Sequence, residues 1–268
     1  MPELNIIVCL KIVPKSEEIR VNTETMAIVR EGVRSEINPP DMNALEMALS
    51  LKDRYGGQVS LLSMGPASFQ SYLRVGLSVG ADRASLLCDP HFAGADTLAT
   101  TYTLAQAIIK LGGADVILCG DESADGATGQ VPAGLAEWLN IGQLSMLSNL
   151  ELDLTRQVGR GRRANKGGYE ILEVPIPFVV SVQTACNEPR FIDFTRKSWA
   201  FSDAQVITWN AADLDASVEY IGLRGSPTIV TGLAEAENRD RQHETIDGTP
   251  QEIALKLAAL LEDIMERV

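Results

Sequence analysis

The sequence predicts an α/β protein: a Rossmann-like parallel sheet with flanking helices, an antiparallel extension and a C-terminal arm that ends in a helix. Short, unbroken apolar runs such as residues 5–10 are typical of strands buried on both faces. These runs alternate with segments of helical spacing, as in parallel sheets covered by helices. The 268 residues are 45% hydrophobic, so the chain can bury one substantial core.

The first part of the chain predicts the parallel sheet. After the strand at 5–10, we expect a small hairpin across 20–30, then a helix that begins near Asp41 and ends at Gly56 and Gly57. Strands predicted at 58–63, 84–87 and 116–119 alternate with helices at 68–79, 96–110 and 131–139. In such sheets ligands bind beyond the carboxyl ends of the strands, here near residues 9–14, 64–66 and 120–130.

The pattern changes from about residue 147. Extended stretches at 150–154, 169–174 and 178–182, with a basic, Gly-rich turn at 159–163, predict antiparallel strands that extend the sheet. Periodicity fades over 187–243, which predicts a long irregular arm. An amphipathic helix is expected at 250–268, and its apolar face requires a partner surface on its own domain or on another chain. We therefore expect a core domain at 1–190 and an arm with a terminal helix at 191–268.

Composition excludes several classes of function. The net charge of −13, from 36 acidic and 23 basic residues, argues against nucleic acid or anionic lipid as a partner. Four scattered cysteines without a CxxC pair and two histidines predict neither a zinc site nor a disulfide framework, which favours the cytosol. No leader pattern or membrane-spanning apolar run is found, so we expect a soluble, unprocessed protein without membrane insertion. No catalytic motif is present either, so any chemistry would belong to a bound cofactor.

The strongest signal for a ligand is the loop at residues 120–130. Gly126 and Gly129 allow close backbone approach, and a helix that begins near Val131 offers free amides, so the loop can cradle a phosphate or pyrophosphate. It is neither a Walker loop nor a GxGxxG fingerprint. Any strand-to-helix loop needs glycine and a cap, so the motif alone leaves both interpretations open.

Two further helix starts are weaker candidates. At 38–41 two prolines fix the backbone, so the Asn38 amide could contact an adenine edge, although a cap formed by Asp41 is favoured for the motif alone. At 94–100 the hydroxyls of Thr97 and Thr100 share a helix face and could touch a ligand. Here too a helix cap is the favoured interpretation of the stretch alone.

Taken together, these segments resemble the electron-transfer flavoprotein β subunit along almost the whole chain. The matching stretches are residues 7–14, 37–41, 44–49, 63–66, 73–82, 125–131 and 187–191. Their order and spacing are specific. The resemblance implies a Rossmann-like domain followed by an arm that embraces a flavin-carrying α subunit in a cytoplasmic heterodimer.

The resemblance also implies a nucleotide site. Its residues are Cys9, Asn38, Pro39, Asp41, Met64, Asp125, Gly126, Ala127, Thr128, Gly129, Gln130 and Val131, with Asp96, Thr97 and Thr100 added at the neighbouring helix start. In simple members AMP fills this site, and the working FAD is bound mainly by the α subunit. In electron-bifurcating members a second FAD replaces AMP, accepts hydride from NADH and sends its two electrons along separate paths. The stretches 94–100 and 225–228 resemble the bifurcating group, so we expect FAD, with AMP as the alternative.

Two departures from the family pattern concern the ligand and the redox partner. Asp121 and Glu122 replace residues that are usually basic or neutral, and two carboxylates would repel a pyrophosphate or a reduced flavin. The recognition loop after Arg190, which docks an acyl-CoA or other flavin dehydrogenase in the family, lacks the usual lysine-rich continuation. The alternative function is a stand-alone adenine-nucleotide-binding α/β module without a redox role, which would leave the long arm unexplained.

Overall fold

The computed structural model describes residues 3–15, 20–22, 27–29, 34–229 and 245–266. The strands are β1 (Asn5–Cys9), β2 (Ile12–Pro14), β3 (Arg20–Asn22), β4 (Ala27–Val29), β5 (Ser35–Ile37), β6 (Gln58–Met64), β7 (Arg83–Leu87), β8 (Val116–Gly120), β9 (Gly142–Asp153), β10 (Val158–Asn165), β11 (Gly168–Pro175), β12 (Phe178–Val182) and β13 (Val206–Trp209). The α-helices are α1 (Pro39–Tyr55), α2 (Gln70–Val79), α3 (Thr97–Lys110), α4 (Val131–Leu139), α5 (Phe194–Ser202) and α6 (Pro250–Glu266).

One sheet organises the larger of two compact units, Met1–Leu233. Its strand order is β11-β10-β9-β12-β8-β1-β6-β7-β13. All neighbours pair in parallel from β9 through β12, β8, β1, β6 and β7 to β13, whereas β9, β10 and β11 pair antiparallel. The predicted Rossmann-like sheet with an antiparallel extension is therefore confirmed, and so is the small hairpin, as β3 paired antiparallel with β4.

The order of the strands creates a topological switch point between β1 and β8. From β1 the chain proceeds to β6 and β7 on one side and then returns to β8 on the other. Helices α1 and α2 pack on one face of the sheet, and α3 and α4 pack on the opposite face. Because the crossovers diverge at this point, the loops after β1 and β8 border a crevice at the carboxyl edge of the sheet.

The predicted turn at 159–163 is wrong, because these residues lie in the middle of β10. The glycines there serve packing: a Cβ on Gly159 would lie 2.3 Å from Phe178 Cζ, and one on Gly161 would lie 2.4 Å from Leu147 Cδ1. The prediction that 178–182 pairs antiparallel is also wrong, since β12 is parallel to both β8 and β9. The Phe and Val content of this buried strand suits either arrangement.

The described part of the predicted arm, residues 187–229, is more regular than predicted, and residues 230–243 lie outside the described residues. It contains α5, which packs on α2, and β13, which adds to the edge of the sheet beside β7. The side chain of Arg196 on α5 donates from Nε to the Leu77 carbonyl oxygen at 3.1 Å. Both elements are short, with nine and four residues, so tertiary contacts decide their structure.

The second unit, Ala234–Val268, contains α6. Thr249 precedes the helix, and its hydroxyl donates to Glu252 Oε2 at 2.9 Å. The predicted terminal helix is therefore confirmed. None of the helices in the described ranges combines the length and apolar character that crossing a bilayer requires.

Candidate functional site

The crevice at the switch point gathers most of the predicted site residues. Cys9 ends β1, Met64 ends β6, and the loop at 121–130 follows β8 and leads into α4. Met64 is half-buried against the core that packs under α3 and α4. Parallel strands bring these three ends to one edge although they are far apart in sequence.

Asp41 ties the two strand ends together. Its Oδ2 accepts the Lys11 amide at 2.7 Å after β1, and its Oδ1 accepts the Gly120 amide at 3.0 Å at the end of β8. Burial raises the pKa of this carboxyl to about 7, although both amide hydrogen bonds lower it. The approach is so close that a Cβ on Gly120 would lie 2.5 Å from Asp41 Oδ1. The prediction of a simple helix cap is wrong, because Asp41 bridges two strands instead.

Asn38 supports the loop that follows β8. Its Nδ2 donates to the Glu122 carbonyl oxygen at 2.9 Å, and its Oδ1 accepts the Ala124 amide at 3.1 Å. The side chain is buried, and Pro39 after it is exposed at the first turn of α1. The Asn38 amide thus positions the loop backbone, and both of its ends are engaged there.

We call residues 121–130 the cradle loop. Residues 124–130 are exposed, and they include Asp125, Gly126, Thr128 and Gln130. Ala127 and Gly129 have left-handed backbones with φ of 46° and 61°. Val131 and Pro132 then begin α4, so the loop leads directly into the free amides of a helix N-terminus. Such an arrangement suits an anion.

Lys11 reaches the cradle loop from the end of β1. Its Nζ lies 2.6 Å from Asp125 Oδ1 and 3.1 Å from Ser123 Oγ. Partial burial raises the pKa of Asp125, but the hydrogen bond and charge of Lys11 outweigh it and hold that pKa below its usual range. Lys11 was not among the predicted site residues. Its signal in the sequence is a lone cation directly after a buried strand.

The start of α3 lies beside the cradle loop. Thr97 Oγ1 donates to Gln130 Oε1 at 2.9 Å, and Thr100 is half-buried one turn further along the helix. Asp96 caps α3, since its Oδ1 accepts the amides of Leu98 at 2.9 Å and Ala99 at 3.1 Å. The favoured prediction of a cap is therefore confirmed.

Asp96 also holds the segment that leads to the arm. Its Oδ2 accepts from Thr228 Oγ1 at 2.7 Å, and its own amide donates to Ser226 Oγ at 2.8 Å. Burial raises the pKa of this carboxyl, but the hydrogen bonds from Thr228 and from the helix amides lower it by more. The net effect is a pKa below the usual value, so Asp96 stays ionised. The structure thus joins two stretches that the sequence analysis connected only through the family resemblance.

Two other residues from the sequence analysis, Cys9 and Asp121, have partners within the chain. Hydrogen bonding with the Cys9 thiol, together with burial, raises the pKa of the Cys119 thiol, so the buried Cys119 is a poor nucleophile. The side chain of Asp121 contacts Thr184 after β12: its Oδ1 accepts a hydrogen bond from Thr184 Oγ1 at 3.2 Å. Its charge is thereby directed towards the end of β12.

A second exposed surface lies further along α1. We call residues 187–202 the aromatic segment, because Phe191 is 98% exposed and Phe194 is 85% exposed. Asn43 on α1 donates from Nδ2 to the Asn187 carbonyl oxygen at 2.8 Å. Arg190 pairs with Glu46, with 2.9 Å between Nε and Oε2. The base of the segment is therefore fixed while its aromatic rings face solvent.

Comparison with known proteins gives a consistent result over nearly the full chain. The family model described as the electron transfer flavoprotein domain matches residues 25–214. An electron transfer flavoprotein subunit beta of Clostridium acetobutylicum is 40% identical over 260 residues, which cover 97% of this chain and 98% of the relative. Protein FixA of Azorhizobium caulinodans is 42% identical over 255 residues, 91% of this chain and 89% of the relative. Protein FixA of Bradyrhizobium diazoefficiens is 43% identical over 256 residues, with 91% and 87% covered.

The fold and the crevice define an α/β protein with an open, backbone-lined loop at its switch point. Within that class, the matches show that this chain belongs to the electron-transfer flavoprotein family, in its β-subunit branch. Proteins of this family are flavoproteins, and a role in flavin-dependent electron transfer follows from the membership.

Proposed function

We propose that this chain is the β subunit of a cytoplasmic heterodimer with a flavin-carrying α subunit, and that an adenine nucleotide binds at the switch point. One observation carries the proposal. The cradle loop is fixed at the ends of β1 and β8 by Asn38, Asp41 and Lys11, each of which binds the loop or the strand end before it. Such a pre-ordered loop lowers the ordering cost of binding.

The residues of the cradle loop suit a phosphate or pyrophosphate. The glycines at 126 and 129 leave the backbone accessible, the N-terminus of α4 favours negative charge, and the ammonium of Lys11 adds a full positive charge. A bound flavin would supply hydride acceptance and one-electron transfer. The chain itself would bind and orient the nucleotide, and the buried layer beneath Cys9 and Met64 would keep water from one side of it.

We propose FAD as the nucleotide, with AMP as the alternative, and NADH as the hydride donor. The support is the position of α3: Thr97 contacts Gln130 at the end of the cradle loop, and Thr100 lies one turn deeper. These hydroxyls extend the crevice beyond the phosphate loop, where a ligand longer than AMP would find polar partners. Splitting of the electron pair between two acceptors, as in the bifurcating group, belongs to this FAD proposal.

The α subunit would cover α6. Its apolar side chains are exposed in this chain, with exposed fractions of 73% for Leu255, 48% for Leu257, 40% for Leu260, 52% for Leu261 and 78% for Met265. The apolar face predicted for this helix also includes Ile253, which is partly buried, and Ile264, whose side chain lies outside those that the structure describes. Such a helix requires a partner because its apolar face is unfavourable in water.

The aromatic segment would dock the electron-exchanging dehydrogenase, an acyl-CoA or other flavin dehydrogenase. Exposed aromatic side chains on a rigid base are typical anchors of protein interfaces. The lysine-rich character of the family loop is absent, so apolar contact would replace charge as the main attraction.

The test is to express the chain with its α subunit, record the visible spectrum, then denature the complex and quantify the released FAD and AMP. A flavin spectrum that depends on the heterodimer supports the β-subunit function. Two FAD without AMP per heterodimer support FAD at the cradle, whereas one FAD with one AMP selects the AMP alternative. A chain that folds alone, binds adenine nucleotide and recruits no α subunit would support the stand-alone module.

A further inference from the structure

We propose that Lys11 is the cationic contact for the phosphate of the nucleotide, and that the Asp125 carboxylate occupies the place of that anion until the nucleotide binds. This inference rests on the nucleotide site proposed above. It assigns Lys11 to phosphate recognition and gives Asp125 the part of an internal competitor.

The backbone of Lys11 is rigid while its side chain is free to exchange partners. The Lys11 amide donates to buried Asp41, and its carbonyl oxygen accepts the amide of buried Asn38 at 2.9 Å. The side chain is 49% exposed, and that of Asp125 is 33% exposed. An exposed ion pair contributes little net stability, so an incoming anion can displace it at low cost.

The ammonium lies where an anion in the cradle loop would need it. A Cβ added to Gly126 would lie 3.8 Å from Lys11 Nζ and 3.2 Å from Ser123 Oγ. Lys11 therefore sits beside the open backbone of the first cradle glycine. A phosphate held by these amides would be within reach of the ammonium, which binds phosphate as a point charge.

The cradle loop has no cation of its own, so Lys11 is the cation that can contact a phosphate there. Residues 111–155 contain no Lys or Arg, so neither the cradle loop nor α4 carries a cation of its own. The loop itself contributes the carboxylates of Asp121, Glu122 and Asp125. Asp121 is directed towards Thr184, whereas Asp125 is the carboxylate that meets Lys11. A phosphate and the Asp125 carboxylate would then compete for one ammonium.

The experiment compares AMP with adenosine, which lacks the phosphate. Both are titrated into the full heterodimer after removal of bound nucleotide, for the wild type and the variants Lys11→Gln, Asp125→Asn and Lys15→Gln. Lys15 is the matched control, because it forms another exposed ion pair, with 3.8 Å between its Nζ and Glu36 Oε2. Loss of a charge-assisted contact predicts that Lys11→Gln weakens AMP binding about tenfold or more.

The two members of the pair should have opposite effects. Asp125→Asn should strengthen AMP binding, none of the variants should change adenosine binding, and Lys15→Gln should match the wild type. If Lys11→Gln leaves AMP binding unchanged, or if both Lys11→Gln and Asp125→Asn weaken AMP and adenosine alike, the inference is overturned and the pair is structural. A wild-type heterodimer that binds neither AMP nor FAD would instead overturn the proposed nucleotide site itself.

Discussion

Helix α1 supports two exposed surfaces of opposite character. Its N-terminus holds the cradle loop through Asn38 and the end of β8 before that loop through Asp41; both side chains are buried and bind backbone groups. Further along the helix, Glu46 holds the aromatic segment through the half-exposed side chain of Arg190. The cradle loop presents backbone and small residues, which suit a small anionic ligand, whereas the aromatic segment presents rings, which suit another protein. The same helix therefore fixes the distance between the cradle loop and the aromatic segment.

The largest effect should come from closing the cradle loop. Gly129→Asp places a Cβ 3.2 Å from the Asp121 carbonyl oxygen and a carboxylate at the anion position, so bound nucleotide should be lost. Thr128→Val should only weaken binding, because the backbone amides remain. The measurement is the nucleotide content of the purified heterodimer.

The control for that substitution is Gly167→Asp, at a left-handed glycine with φ of 95° and no atom near its added Cβ. It should retain full nucleotide content. Docking of the dehydrogenase should be equal in both variants, because the aromatic segment is held separately. Normal nucleotide content in Gly129→Asp would contradict the proposal that the nucleotide binds at the cradle loop.

Removing α6 tests whether both surfaces are independent of the second unit. A chain ended after Thr249 should lose copurification with the α subunit, because the exposed leucines of α6 are gone, while the α/β core stays folded. Circular dichroism and pull-down yield check the two halves of this expectation. Full recovery of the truncated chain with its partner would require another role for α6.

Asp41→Asn should destabilise the fold by about 1–3 kcal/mol, since an amide side chain can accept only one of the two backbone amides in place. The loss should depend on pH. Because burial raises the pKa of Asp41 from 3.8 to about 7, the folded state binds the proton more tightly than the unfolded chain. The stability that this proton contributes is complete below about pH 4 and is lost as the pH rises through 7.

The stability advantage of the wild type over Asp41→Asn should therefore shrink by about 1.4 kcal/mol per pH unit between pH 5 and 7. Denaturant unfolding at a series of pH values measures this slope. Glu122→Gln, at an exposed carboxylate of the cradle loop, is the control and should follow the wild type. A difference that is independent of pH would show that Asp41 keeps its charge throughout.

The smallest effect is expected at the aromatic segment. Phe191→Ala should weaken dehydrogenase binding about tenfold, since an exposed aromatic anchor contributes on the order of 1–2 kcal/mol to an interface. Nucleotide content should not change. Tyr169→Ala, at a residue 66% exposed on β11, is the matched control. Equal docking by both variants would remove the aromatic segment as the docking surface.

Much of the fold was predictable because, along the parallel strands and their helices, the spacing of apolar residues in the sequence matches the side chains that are buried in the structure. The buried strands at β1 and β8 and the helices at α1, α3 and α4 follow directly from their apolar patterns. The turn predicted at Gly159 and Gly161 was wrong because the sequence alone does not distinguish a glycine required for close packing inside a strand from a glycine required in a turn. Elements α5 and β13 were missed because their neighbours in space, α2 and β7, are remote in sequence.

The candidate site was predictable in its location and less so in its parts. The cradle loop carries a local signal, namely glycines before a helix. The part played by Asp41 depends on two backbone amides contributed by different strands, which no local pattern contains. Lys11 and the contact of Asp96 with Thr228 likewise join residues more than a hundred positions apart. The predicted boundary between domains at 190 and 191 stays a prediction.

The most direct test of this account is a crystal structure of the heterodimer with its bound nucleotide. The account predicts phosphate oxygens over the backbone amides of Gly126 to Gly129, with Lys11 Nζ about 3 Å from one of them and released from Asp125. Phosphates located away from the end of β8, with the Lys11–Asp125 pair intact beside an empty cradle loop, would contradict it.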